Sequence, residues 1–522
     1  MSGTATAASI APIAAPAGRS RAGTVALVAA AGVATAGIAA RGGSPLLAAA
    51  PVLVLALVWT LSVLPLRWST TALLALTLTL DLSDDAQGEW HSPLAVLGDL
   101  LRDDLDRFVP IRGLKVSGSE ALVLLLVAVG IWRRATGDDR DTRGAEPMAG
   151  VLRGAFAVFL AGVAYATVVG LATGGNPAWA IIQVRPLLHL AAFALLFHLA
   201  YRGARDHLTL ARLTLATATA KAGLAWWVDR YVAPHTLMRK WEFSTNHGDS
   251  ILFSMAAIIV LVHLLERPDR PRLLRAAIFV PVALLGVIHN HRRLAWIDLA
   301  AALACVYVVS PWRGWKRIAT RATLLATPVL VAYVAVGWQL PHSRIFAPVR
   351  IARTVSDPSI DRSTLYRAIE NWNQAMSIAE SPILGRGFGH GFSEFIKGDD
   401  ISTIFKLYRL EPHNAVLGLL LFGGLPGFFA IWSLLAVGIF LAARAHRFAV
   451  LPEDRAAALS ALAVVVICVL QTYGDMGQYS QQYPIYLALA LTVAGRLAVR
   501  TGAWPGAAPA ARGDLALGGS AG

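Results

Sequence analysis

The sequence predicts an all-α, polytopic integral membrane protein of about 12–14 transmembrane helices. Three observations carry that expectation. Of the 522 residues, 56% are hydrophobic and only 15% charged, where soluble domains carry about 25% charged residues. Mean hydropathy is +0.57. Apolar runs long enough to cross a bilayer recur from end to end, and they are continuous rather than alternating, which excludes a β-barrel.

Taken in order, residues 1–23 are rich in Ala, Ser and Pro, carry Arg19 and Arg21, and read as a disordered cytoplasmic arm. Spans follow near 24–40, 45–65, 68–83, 119–132, 154–172, 186–201, 208–226, 249–265, 276–289, 294–310 and 322–338. They make residues 24–338 the first transmembrane part. The first run has no convincing cleavage site and reads as an anchor rather than a signal peptide. The run at 119–132 is short, with a partly re-entrant segment as its alternative. Residues 339–412 form the largest connection, and 413–498 hold the C-terminal spans, near 413–443, 456–474 and 483–498. Within the first of these, Gly423-Gly424-Leu425-Pro426-Gly427 predicts a kink or break. Residues 499–522 read as a disordered cytoplasmic tail.

The formal net charge of +14 is distributed as a topology signal. Basic residues gather in every second loop, at Arg133, Arg134, Arg140 and Arg143, at Arg202 and Arg205, at Arg267, Arg270, Arg272 and Arg275, at Arg313, Lys316, Arg317 and Arg321, at Arg444 and Arg447, and at Arg496 and Arg500. That is the positive-inside pattern of a protein in the cytoplasmic membrane with both termini inside. No basic surface interleaved with aromatic residues appears, so nucleic acid is not an expected partner. Cys305 and Cys468 both sit in apolar runs and imply neither a disulfide framework nor a metal cluster.

With that topology the 339–412 loop is extracytoplasmic. Long loops in compact folds are usually functional. Ser363 to Glu380 has helical spacing, with Leu365, Ile369, Trp372 and Met376 on one face, and reads as a lid helix lying against the membrane surface.

The unusual polar residues map to that same side. His413 and Asn414 open an apolar helix; they are either a capping pair or a general base with its neighbour. Arg292 and Arg293 follow His289-Asn290-His291 between two spans, either as interface anchors or as an anion site. Arg367 and Arg362 lie on or at the lid helix, and Arg185 opens a span at the outer boundary. Asn246 and His247 close another outer loop, where capping is the plain alternative. Lys221 lies inside an apolar run, which makes it a functional candidate unless it snorkels. Asp298 is a candidate partner for Arg293. Arginines from separate loops suit a substrate with negative charge at the membrane surface, and a histidine can move a proton near neutral pH. No nucleotide is supplied outside the cytoplasm, so a donor group has to arrive on a lipid carrier, and a lipid diphosphate fits.

Four motifs resemble the O-antigen ligase and O-antigen polymerase superfamily. His413-Asn414, followed by Leu417 and Gly424-Leu425-Pro426-Gly427, looks like that family's His-Asn helix. Pro382-Ile383-Leu384-Gly385-Arg386-Gly387-Phe388-Gly389 looks like its Pro-Leu-x-Gly-x-Gly motif. Arg293-Leu294-Ala295-Trp296 stands where the family has Ser-Arg-Gly, and Thr245-Asn246-His247 where it has an Asn-rich helix start. The resemblance implies transfer of a glycan from a polyprenyl-diphosphate carrier to an acceptor glycan or lipid hydroxyl. Arg293 and Arg367 would bind the diphosphate, His413 would deprotonate the acceptor, and neither metal nor cofactor would be needed. Arg292 competes with Arg293, and Arg362 with Arg367, because the local motifs depart from the family pattern. Arg185, Asn246, His247 and Asn414 would line the substrate site. Two other classes stay open. One is a lipid-phosphate-sugar glycosyltransferase using Asp84 or Asp85 with a metal. The other is a non-enzymatic polysaccharide or lipid transporter, which would move substrate across liposomes and form no glycosidic bond.

Overall fold

A computed structural model describes residues 21–42, 45–80, 95–105, 116–138, 140–141, 143–232, 234, 245–246, 248–312, 314–340, 344–346, 349, 352–353, 357, 362–398, 407–474 and 477–505. Asp84, Asp85, His247, the first 20 residues and the last 17 lie outside them, as does most of 341–361.

Each of the fourteen apolar runs is helical. In order the helices are α1 (Arg21–Ala40), α2 (Pro45–Val63), α3 (Leu66–Thr79), α4 (Ala95–Arg102), α5 (Gly118–Ala135), α6 (Gly150–Ala172), α7 (Pro177–Ala200) and α8 (Ala204–Trp227). Then follow α9 (Gly248–Glu266), α10 (Arg270–His289), α11 (Arg293–Val309), α12 (Gly314–Gln339), α13 (Arg362–Glu380), α14 (Ala415–Phe448), α15 (Pro452–Gly474) and α16 (Tyr483–Arg500). Seven of them, α6, α7, α9, α10, α12, α14 and α15, are long and apolar enough to cross a membrane by length and composition. The chain is a multi-pass, all-α membrane protein. The run near 119–132 forms an 18-residue helix, started by a complete capping box at Ser117 and Glu120.

The chain divides into two compact units. In the first, α1 and α2 pack on each other. The second runs from Leu66 onward apart from residues 109–111. Its centre is α9 and α15, whose apolar windows are 78% and 72% buried, against 22% for α10 and none of α12. Helix α9 reads ILFSMAAIIVLVHLLE without a polar stripe because it is enclosed by α8, α10, α11 and α15. Helix α6 lies along α14, α7 along α16, and α15 along both α14 and α16.

One end of this bundle gathers the basic residues, and most of them meet carboxylates or carbonyls. Arg133 pairs with Asp141, and Arg500 with Glu146 and Asp454 (2.6 and 3.0 Å). Arg455 pairs with Glu266 (2.7 Å), and the buried Arg496 donates to the His198 carbonyl (2.9 Å). The opposite end holds the glycine and His-Asn motifs. Contacts there tie together the α6–α7 turn, the start of α11, the end of α15 and the segment 385–390.

The break in α14 falls at Gly424, with φ 55° and ψ −163°. Its consequence is a docking seat. Phe422 has no helical partner four residues on, because Pro426 lacks an N–H. The Phe422 carbonyl accepts from Gly387 N–H (2.9 Å), the Leu421 carbonyl accepts from Arg386 N–H (2.8 Å), and Leu425 N–H donates to Ile383 (3.1 Å). On its other side the same segment donates from Phe388 N–H to the Ala166 carbonyl of α6 (2.9 Å). Gly387 has φ +80°, and a Cβ there would stand 2.0 Å from the Gly170 nitrogen. The glycine motif is therefore a strap of backbone between α6 and the kink of α14.

Candidate active site

His413 stands directly before α14. Asn414 is the N-cap, its side chain accepting from Leu417 N–H (3.3 Å), so the capping reading holds for Asn414. His413 is used differently. Its Nδ1 lies 2.8 Å from Glu370 Oε2, and its backbone N–H donates to Glu370 Oε1 (2.7 Å). Glu370 is 2% exposed. The geometry suits the tautomer in which Nδ1–H donates to the carboxylate and Nε2 is the basic nitrogen. The Tyr366 ring packs edge-on to the imidazole, with centroids 6.2 Å apart.

Glu370 comes from α13, the expected lid helix. The structure adds something the spacing did not: the face turned into the protein is polar. Glu370, Asn373, Gln374 and Ser377 are buried, while Leu365, Trp372 and Met376 are exposed. Asn373 accepts from the N–H groups of Phe395 and Ile396 (2.9 Å each), and Ser377 accepts from Ser393 N–H (2.9 Å). In a bilayer such a helix keeps its apolar side for lipid and spends its polar side on the site.

Arg367 lies one turn before Glu370 on α13. Its guanidinium donates to the Gly474 carbonyl at the end of α15 (2.8 Å). Gly474 in turn lies against Leu294, whose Cδ1 would be 3.1 Å from a Cβ at that glycine. His413, Glu370, Arg367, Gly474 and the Arg292–Leu294 turn thus form one continuous chain of contacts drawn from four parts of the sequence. Arg292 is the non-helical cap residue of α11 and is buried, whereas Arg293 is exposed. Arg362 begins α13 and is exposed.

The turn that carries the arginine pair is held from two sides. Asn290, fully buried, accepts from Thr245 Oγ1 (2.9 Å) and donates to Ser250 Oγ (3.0 Å). Asp229, in a π-helical turn after α8, meets His289 Nδ1 (2.7 Å) and His291 Nε2 (2.8 Å) with its two oxygens. Burial works against its ionisation, but the bonds from His291 and His289 hold its carboxyl below the usual range. His291 has φ 57°, the left-handed region that few non-glycine residues occupy.

The remaining sequence candidates stand elsewhere. Arg185 binds Glu120 through Nε and Nη2 (2.5 Å each) and Asp104 (3.0 Å), so its charge is met by carboxylates of α5 and the segment after α4. Asn246 caps α9, accepting from Asp249 N–H (3.1 Å). Lys221 does not snorkel: it is buried in an ion pair with Asp249, itself fully buried (3.1 Å). Asp298 accepts from Gln471 Nε2 (2.5 Å).

Sequence reasoning missed Glu370, Glu411 and Gln183. Gln183, 1% exposed, donates to the carbonyls of His390 (2.9 Å) and Leu410 (3.0 Å) and accepts from Gly389 N–H (2.7 Å), pinning both ends of the motif segment to α7. Burial pushes the Glu411 carboxyl up to about 7, with the Arg185 charge working the other way. The available signal was modest. Glu370 falls one turn beyond an arginine on the helix face opposite Leu365 and Trp372, and Glu411 is part of the motif itself.

Residues 277–432 match the family model described as O-Antigen ligase. No curated protein matches the chain. The matched range contains Arg292, Arg293, Arg362, Arg367, the glycine strap, His413-Asn414 and the Gly424 break; Arg185, Asn246 and His247 fall outside it. Over these residues the chain is similar to the O-antigen ligase family, and that likeness supports, in general, an O-antigen ligase-like membrane glycan transferase.

Proposed function

We propose that the chain transfers a glycan from a polyprenyl diphosphate to an acceptor hydroxyl at the extracytoplasmic face of the cytoplasmic membrane. The observation that carries the reading is the His413–Glu370 pair, one turn from Arg367 and linked through Gly474 to the Arg292–Arg293 turn. In the reaction the acceptor oxygen attacks the anomeric carbon as the bond from that carbon to the diphosphate oxygen breaks. His413 Nε2 takes the acceptor's proton, and Glu370 stabilises the imidazolium that forms. The negative charge developing on the departing diphosphate falls to Arg367 and to Arg292 or Arg293. Burial favours Arg292 as the inward guanidinium, since an arginine away from bulk water interacts more strongly with an anion. A single displacement of this kind inverts the anomeric configuration. The positive-inside pattern supports an outward-facing motif end, since that end lies opposite the arginine-rich one.

The test is transfer with purified protein and a lipid-diphosphate glycan. His413→Ala abolishes product while donor binding and protein yield are retained. Arg292→Ala, Arg293→Ala and Arg367→Ala weaken donor binding, and their ranking decides which arginines serve. Wild-type turnover in His413→Ala would end the mechanism. In cells, lost attachment of glycan with normal chain length marks a ligase, and accumulation of single repeats marks a polymerase.

A further inference from the structure

The chemistry proposed above leaves a large space unused at the other end of the bundle. A cavity of about 370 Å³ opens between α8, α9, α15 and α16. Small-molecule sites commonly fall in this size range. Its mouth is charged, bearing Glu453 and Arg500, and its depth is apolar apart from Thr214 and Ser460, ending among Met255, Val464 and Leu489. Val464 is eleven residues along α15 from Glu453. At 1.5 Å per residue that is about 17 Å, and half of a typical hydrocarbon core is about 15 Å. The cleft is thus one leaflet deep. Leu208, in the first turn of α8, and Leu451, just before α15, both line it and are exposed, so the cleft opens at its charged end beside apolar side chains.

We infer that this cleft binds one phospholipid with a zwitterionic, amine-bearing head, its acyl chain between α8 and α15 and its head group at the Glu453–Arg500 rim. The depth selects an acyl chain, because an apolar cavity of this shape gains nothing from water and about 0.8 kcal/mol from each methylene buried. The rim selects the head. It carries both signs side by side: Arg500 is held by Asp454 (3.0 Å) and Glu146 (2.6 Å), and Glu453, half exposed, meets Arg272 (3.1 Å). A phosphate oriented by Arg500 with an amine near Glu453 matches that alternation, whereas a purely anionic head meets Glu453 and Asp454 unfavourably. The four helices joined here include α9 and α15, the two central helices of the bundle, so the lipid would complete their packing. This inference does not depend on the glycan-transfer reading.

The experiment is native mass spectrometry of the full chain, purified in mild detergent and exchanged into nanodiscs of phosphatidylethanolamine or of phosphatidylglycerol. The wild type retains one phosphatidylethanolamine per chain and prefers it several-fold over phosphatidylglycerol. Ala457→Phe with Ala461→Phe fills the cleft and lowers retention at least tenfold. Glu453→Gln leaves the cleft open and removes the preference for the amine head, which keeps the test decisive if the filled variant folds poorly. Retention unchanged in the filled variant, or a head-group preference unchanged in Glu453→Gln, overturns the proposal. So does a folded, lipid-free wild type, or recovery of a polyprenyl phosphate in place of the phospholipid.

Discussion

Replacement of Glu370 by Gln is the sharpest perturbation of the proposed site. Glu370 places both oxygens on one residue, at 2.7 Å from the His413 backbone nitrogen and 2.8 Å from Nδ1. Glutamine keeps the size and one acceptor but turns the other oxygen into an NH2 donor. If the carbonyl serves the backbone N–H, the NH2 faces Nδ1, which must then accept. The ring proton moves to Nε2, and the nitrogen that should take the acceptor's proton already holds one. General-base assistance is worth about 10²–10⁴-fold, and a wrong tautomer in the serine-protease triad costs about 10⁴. The expected loss in kcat is therefore about 10²–10⁴-fold, or roughly 3–5 kcal/mol of barrier. The donor KM should move by no more than about twofold, because the arginines are untouched. Initial rates with a lipid-diphosphate glycan in nanodiscs measure both constants, and a thermal melt confirms the fold. A variant with kcat within about threefold of wild type would refute the assignment of His413 as the base.

Three further outcomes follow from the same geometry. Gly387→Ala drives a Cβ to 2.0 Å from the Gly170 nitrogen at φ +80° and should destabilise by several kcal/mol, while Gly174→Ala, at φ +88° with open space around it, should cost about 1–2 kcal/mol; melting temperatures in one detergent compare them. Glu411 is raised from 4.5 to about 7, so it contributes stability below about pH 4.5 that is lost as pH rises through 7. Glu411→Gln should match wild type near pH 4.5 and exceed it above pH 7 by up to about 3 kcal/mol, at 1.36 kcal/mol per unit; a stability difference independent of pH would contradict this. Lys221→Met leaves Asp249 buried without its ammonium and should cost about 3–5 kcal/mol, most of it recovered in the Lys221→Met, Asp249→Asn double variant. If the double variant melts like wild type yet transfers no glycan, the pair is functional rather than structural.

The parts of this fold legible in the sequence are those set by local chemistry. The apolar runs became helices, and for the seven long enough to cross a bilayer the reason is that lipid leaves the backbone no other way to satisfy its polar groups. The Gly-Gly-Leu-Pro-Gly break appeared where a missing N–H and a left-handed glycine require it. Asn414 and Asn246 cap helices, as short polar residues before apolar runs do. What stayed hidden depends on distance along the chain. Glu370 meets His413 across 43 residues, and Arg185 meets Glu120 and Asp104 across 65 and 81. Spacing shows that α13 has a polar face and an apolar face, but not which one the protein keeps; in a membrane the usual inward rule for apolar side chains has no force, since lipid serves as well. Lys221 shows the same limit, because its carboxylate partner Asp249 stands 28 residues further on, in α9.

The glycine motif and the His-Asn motif of this chain are coupled through backbone rather than through side chains. His413 is aimed by what lies on either side of it: Glu370 from α13, and the first turn of α14, which Asn414 starts. The height of that turn relative to α6 is set nine residues later, where the Gly424 break turns the carbonyls of Leu421 and Phe422 toward Arg386 and Gly387. Gly389 and the Leu410 carbonyl, which flank the loop leading to His413, are both held by the single side chain of Gln183. Loss of the proline would restore a helical partner to Phe422, release Gly387, and free the strap that joins α6 to α14. Pro426→Ala should therefore reduce transfer without touching any charged group, and it should do so through kcat, since the imidazole is displaced while the arginines on α11 and α13 keep their supports at Gly474 and Asn290. An equal loss in donor binding would show that the strap holds the anion site as well, and that the two halves of the site are one mechanical unit.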